Sequence, residues 1–215
     1  MKLKGIFQNK SIAMQFALFF AITFLSVVVF SIISYALLPF LFDVGFADLS
    51  FFLSDYNNPE TVNALKFFQL FTSVGLFIVP PLLFAYLTLF YLQLKQKINR
   101  QMVLLAIAIM LIVNPFAAYL MQWNQALILP EFLEGAQIWM EASEQKAMQI
   151  TEAFLVMSSI GDLLINLFLI ALIPAIGEEL LFRGVLQQLF AKWTGKVHLA
   201  IFISAFLFSA IHMQF

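Results

Sequence analysis

Cysteine is absent from all 215 residues. That absence removes disulfide frameworks, thiolate metal sites and a cysteine nucleophile together. Charge is nearly as scarce: 11 Lys and Arg and 12 Asp and Glu make up only 11% of the chain and leave a formal net charge of -1. No basic stripe exists to neutralise phosphates, so a nucleic-acid partner is set aside. Histidine occurs only as His198 and His212. Whatever chemistry the chain performs uses oxygen and nitrogen. Internal repeats, low-complexity tracts and a second domain are also missing from the pattern.

What the chain does have is apolar surface. Hydrophobic residues account for 63% of it and Phe alone for 27 positions, against about 45–50% apolar content in soluble domains. A soluble fold could not hide that much. The apolar runs are long enough to cross a hydrocarbon core of about 30 Å, which takes roughly 20 helical residues. They lack the alternation of a barrel strand, so backbone polar groups in lipid must be satisfied by helix. The predicted fold is therefore all-α, a polytopic transmembrane helical bundle.

A first span is predicted over about Ala13 to Phe42, too long and too uninterrupted for a cleaved signal peptide. A polar connection from Asp43 to Glu60 follows. Further spans are predicted over about Leu65 to Leu94, with Pro80 and Pro81 inside, and Met102 to Trp123, with Asn114 and Pro115 inside; each proline is expected to kink its helix. In the acidic stretch after Asn124, Ile128, Phe132, Ala136, Trp139, Met140 and Ser143 recur at helical spacing, as in a helix lying in the interface. The last two spans are predicted at about Ala153 to Ile176 and Val197 to Phe215. Trp123, Trp139 and Trp193 fit interfacial anchors.

Residues 1–12 thus read as a cytoplasmic N-terminal segment and 13–215 as a bundle of about five spans. Lys and Arg in short loops stay on the cytoplasmic side. Lys2, Lys4 and Lys10 fall on one side with Lys95, Lys97, Arg100, Lys192 and Lys196, leaving Lys66 and Lys146 on the other. The expected location is the inner membrane of a bacterial cell, with the N-terminus cytoplasmic and Glu178 at the cytoplasmic end of the fourth span.

Two segments could carry chemistry. In Gly177-Glu178-Glu179-Leu180-Leu181-Phe182-Arg183-Gly184, two carboxylates and a guanidinium stand among apolar residues, where a charge at mid-membrane costs about 2.5–3.5 kcal/mol on insertion scales. Glu179 and Arg183 are spaced to pair on one helix face. Glu178 points about 100° away, and a carboxylate in apolar surroundings beside a second one suits a general base. The plainer reading is that all three charges flank a span at the headgroups. The second segment is Phe208-Ser209-Ala210-Ile211-His212. A lone His in a membrane helix more often partners another polar side chain than catalyses. Here antiparallel packing could bring it to the Glu helix, to orient water or stabilise an oxyanion. Asp162 and Asn166, four apart, form an intramembrane polar pair that reads equally well as function or as interhelical packing.

Taken together, Glu178-Glu179-x-x-x-Arg183 followed by Phe208-x-x-x-His212 resembles the first two motifs of the CPBP family of intramembrane proteases. The family is also called Abi or CAAX-protease-like, and its eukaryotic members are the type II CAAX prenyl endopeptidases. The resemblance is confined to residues 175–215. It implies that Glu178 is the catalytic carboxylate activating water, that Glu179 and Arg183 complete the first motif, and that His212 holds the water or the developing oxyanion. It also implies a cytoplasm-facing cavity and a third motif, a His with an Asn four residues on, which does not occur before Phe215. The sequence reads as cut short at that point.

Metal use stays open. The family is described both as metalloproteases and as metal-independent glutamate-type enzymes, so a divalent ion such as zinc, or none, is expected beside Glu178, Glu179 and His212. The expected partners are membrane lipid and a membrane-associated peptide or protein substrate. A non-catalytic binding protein such as a bacteriocin self-immunity factor is the alternative. A small transporter would want polar residues along several spans and ranks below both.

Overall fold

The computed structural model describes residues 3–92, 94, 99–125 and 130–212, and the described residues form helices and turns without strands. Lys2, Lys95, Lys97 and Ile128, named above, lie outside them. Seven helices follow in order: α1 (Ile12–Phe42), α2 (Leu49–Phe52), α3 (Pro59–Thr88), α4 (Arg100–Gln125), α5 (Glu134–Leu155), α6 (Ile160–Thr194) and α7 (Val197–His212). Four of them, α1, α3, α4 up to Leu120, and α6, are long and apolar enough to cross a membrane; α7 is a shorter apolar helix. The chain divides into two units, Met1–Leu92 with Ala147–Phe208, and Gln93–Lys146 with Ser209–Phe215.

Local chemistry fixes the ends of the helices. The Ser11 hydroxyl accepts from the Met14 N–H at 3.3 Å to cap α1, and Asp43 closes the same helix in a left-handed conformation at φ 50°. Asn58 caps α3 by accepting from Glu60 N–H at 2.9 Å, with Pro59 at the first helical position. The prolines inside α3 and α6 are met by wider turns rather than breaks. A π-turn at Val74–Ile78 precedes Pro80 and Pro81, and another at Leu167–Leu172 precedes Pro174. A proline has no N–H and its ring crowds the carbonyl four residues back, and a wider turn relieves that crowding.

The first unit packs α1, α3 and α6 around Phe19, Phe84, Phe90, Phe182, Val185 and Leu189, all buried. The rings of Phe19 and Phe84 meet edge-on with centroids 5.3 Å apart. Small residues set the closest approaches: a Cβ on Gly75 would fall 2.6 Å from the Phe30 Cβ, and one on Gly177 would collide with Phe77. Lys66 and Asp162, near the starts of α3 and α6, line one pocket. Near their ends the Gln188 amide donates to the Tyr91 carbonyl at 3.3 Å. The two helices therefore run side by side in the same direction, and their outer faces, like those of α1 at Phe24 and Phe40, stay exposed for lipid.

This unit has a basic end and an acidic end. At the first, the segment before α1 donates from Gly5 N–H to the Tyr86 carbonyl at 3.1 Å and from Phe7 N–H to the Leu87 carbonyl at 3.0 Å, which places Lys4 and Lys10 beside the end of α3. Lys192 stands 4.0 Å from the Phe90 ring centroid there. At the other end lie Asp43, Asp48, Asp55, Glu60 and Asp162.

The fourth span differs from its expected bounds. Helix α5 stops at Leu155, α6 starts at Ile160, and α6 runs through Pro174 and Gly177 to Thr194. Glu178 is consequently near the middle of a 35-residue helix rather than at a helix end. In the second unit α4 is exposed wherever its side chains are described, with Pro115 inside it, and α5 begins after a 3₁₀ turn at Glu131–Leu133.

Candidate active site

Helix α6 presents two faces at the motif. Leu181, Phe182, Val185, Leu186 and Leu189 turn into the core, while Glu178, Glu179, Arg183 and Gln187 line a pocket of about 360 Å³ together with Ser204 and Phe208 of α7. The backbone from Glu179 to Leu186 forms a third π-turn. No proline requires this one. Such turns recur at functional sites because they re-aim side chains without ending the helix.

The Arg183 Nη1 donates to Glu179 Oε1 at 2.7 Å, the pairing expected from their spacing, and both side chains are more than half exposed toward the pocket side of the helix. This is a charge-assisted bond on a long apolar helix, where an unpaired guanidinium or carboxylate would be costly. Glu178, half-buried, lies on the wall of the same pocket.

Helix α7 is fixed against this segment. Gly195, in the left-handed region at φ 68°, ends α6 and lets the chain reverse within two residues. The buried Ser204 hydroxyl then donates to the Phe182 carbonyl at 3.3 Å, and the Phe182 and Phe208 rings meet edge-on at 5.1 Å. The structure thus brings four motif residues, Glu178, Glu179, Arg183 and Phe208, around one pocket. His212 is the last described residue of α7, one turn beyond Phe208; its side chain lies outside the described residues. His198 is exposed at the start of α7 and does not line the pocket.

Asp162 and Asn166 have structural work to do. Asp162 accepts from Ser158 N–H, Ser158 Oγ and Ser159 N–H at 3.0 Å each and completes a capping box with Ser159 at the start of α6. The buried Asn166 amide donates to the Phe154 carbonyl and ties the end of α5 to α6. Ser204 and Gln187 belong to neither motif, although each stands one turn from a motif residue, Ser204 before Phe208 and Gln187 after Arg183. A polar residue at that spacing on an apolar helix is the signal that could have found them.

Residues 160–215 match the family model for type II CAAX prenyl endopeptidase Rce1-like proteins. The matched segment begins at the first residue of α6, covers both motifs and makes up about a quarter of the chain. It supports the CPBP resemblance read from the motifs. With the four apolar helices, it makes this an integral membrane protein of all-α, polytopic helical architecture. No curated protein and no solved structure matches the chain.

A zinc ion in a catalytic site usually takes three protein ligands and a water. Among the described residues no three His, Asp or Glu side chains converge. The pocket offers Glu178 and Glu179, the latter engaged by Arg183. The third expected donor, His212, has its side chain outside the described residues.

Proposed function

We propose that the chain is an intramembrane endopeptidase that hydrolyses peptide bonds of membrane-associated peptides or proteins, with Glu178 as the base that activates water. One observation carries this reading. Arg183 holds Glu179 on the wall of the pocket that the half-buried Glu178 also lines, with the apolar rings of Phe182 and Phe208, so the motif's charges and its aromatic residue meet in one cavity.

In this mechanism Glu178 takes a proton from a water molecule lying against the scissile carbonyl. The hydroxide oxygen bonds to the carbonyl carbon, and the carbonyl oxygen gathers negative charge. Collapse of the tetrahedral adduct breaks the C–N bond, and the proton held by Glu178 passes to the departing amine. His212, one turn beyond Phe208, orients the water or donates to the oxyanion. Phe182 and Phe208 keep bulk water from the extended substrate backbone, which strengthens these interactions. The basic end of the first unit, with Lys4, Lys10 and Lys192, faces the cytoplasm of a bacterial cell, and substrates are cut at or just inside that face.

The test is cleavage of a panel of membrane-tethered peptides by the purified protein in detergent, with Glu178→Ala and His212→Ala alongside. Wild-type cleavage with both variants folded and inert supports the reading. Cleavage that survives Glu178→Ala overturns it.

A further inference from the structure

A second pocket, of about 850 Å³, opens at the acidic end of the first unit. The loop after α2, the first turns of α3, the last turns of α5 and the start of α6 converge there. Its size suits a small-molecule or headgroup ligand, roughly 300–1,000 Å³.

Lys66 sets its chemistry. The residue is only 7% exposed, yet it lines the pocket. Its nitrogen lies 5.7 Å from the Phe154 ring centroid and makes no hydrogen bond or ion pair among the described residues. An ammonium carries three donors, and a buried charge without acceptors is costly in this setting. Asp162, on the same wall, favours the ammonium through its charge but makes no hydrogen bond or ion pair with it, and its Oδ2 is turned to Ser158 and Ser159. An anionic group entering the pocket would supply the acceptors.

The rim carries the opposite sign. Asp55 and Glu152, both exposed, stand at the edge of the same pocket. An anion alone would be repelled by the rim, and a cation alone by the floor. A ligand with its anion deep and its ammonium outward complements both. The pocket is built on the first turns of two membrane-crossing helices, and Val156 (76% exposed), which lines it, offers apolar surface for acyl chains.

We propose that this pocket binds the zwitterionic headgroup of a phospholipid of the phosphoethanolamine type, with its phosphate on Lys66 and its ammonium between Asp55 and Glu152. The assignment is independent of the peptidase reading. It is tested by native mass spectrometry of the full chain, released from micelles containing equal amounts of phosphatidylethanolamine and phosphatidylglycerol.

The expected result is preferential retention of phosphatidylethanolamine. Retention should fall about tenfold in Lys66→Met, the order expected when one charge-assisted hydrogen bond is lost, and persist in Lys66→Arg. The exposed pair Asp55→Asn, whose amide oxygen can still accept from Asn57 N–H as Asp55 Oδ1 does at 3.3 Å, and Glu152→Gln should abolish the preference for phosphatidylethanolamine over phosphatidylglycerol. Equal retention of both lipids by wild type, or a preference unchanged in the rim double variant, would overturn the proposal. Displacement of the lipid by an equal concentration of free glycerophosphoethanolamine would overturn the lipid in favour of a soluble zwitterion.

Discussion

Gly177 abuts Phe77 where α6 crosses α3, so closely that a Cβ on the glycine would collide with the Phe77 Cβ. The next residue is Glu178. The position of the proposed base is therefore set by a helix contact that only a residue without a side chain allows. The obstacle is the root of a side chain on a neighbouring helix, which cannot swing aside.

Gly177→Ala should destabilise the fold by about 1–3 kcal/mol, the usual cost of overpacking, and lower cleavage along with it. Gly184→Ala is the control. There the nearest heavy atom is 3.5 Å from a built Cβ, and the loss of a helical glycine should leave stability equal or raised by up to about 1 kcal/mol. Thermal unfolding of both variants in detergent checks the contrast. Equal effects at the two positions would mean that the close approach to Phe77 does not hold.

Removing Arg183 should act on catalysis through Glu179. In Arg183→Ala the Glu179 carboxylate loses its 2.7 Å partner and competes with Glu178 for the water. We expect a fall in kcat of about a hundredfold, the scale of an ångström-sized misplacement, with KM little changed. Arg183→Lys should recover part of the rate, since it restores the charge but not the fork geometry. A loss confined to KM would point to substrate binding instead.

Ser159→Ala and Asn166→Ala should show the reverse pattern. Each removes a structural bond at the α5–α6 connection, the Ser159 cap or the Asn166 donation to the Phe154 carbonyl, at about 1 kcal/mol for a lost cap. The unfolding midpoint should drop while kcat per folded molecule stays at the wild-type value.

Much of this was legible in the sequence. Long apolar runs and the charges between them placed α1 and α4 to within two residues at each end, because length and hydropathy decide such helices, whereas α3 starts and stops six residues before its expected bounds. The Glu179–Arg183 pair followed from four-residue spacing alone. The course of α6 was not legible: Pro174 and Gly177 look like a helix stop, but a π-turn absorbs the proline and the glycine serves the contact with Phe77. Its true start was written in Ser159-x-x-Asp162, a capping-box pattern, which the apolar run from Ala153 obscured. Ser204 became visible only once α7 was folded back onto Phe182.

The most direct measurement is the cleavage rate of a membrane-tethered peptide by wild type and by Glu178→Gln, which keeps the shape of the side chain and removes its basicity. The account predicts a folded variant with a wild-type unfolding midpoint and a rate lower by at least about a hundredfold, the lower end for a general base. A Glu178→Gln protein that cleaves at the wild-type rate would contradict it.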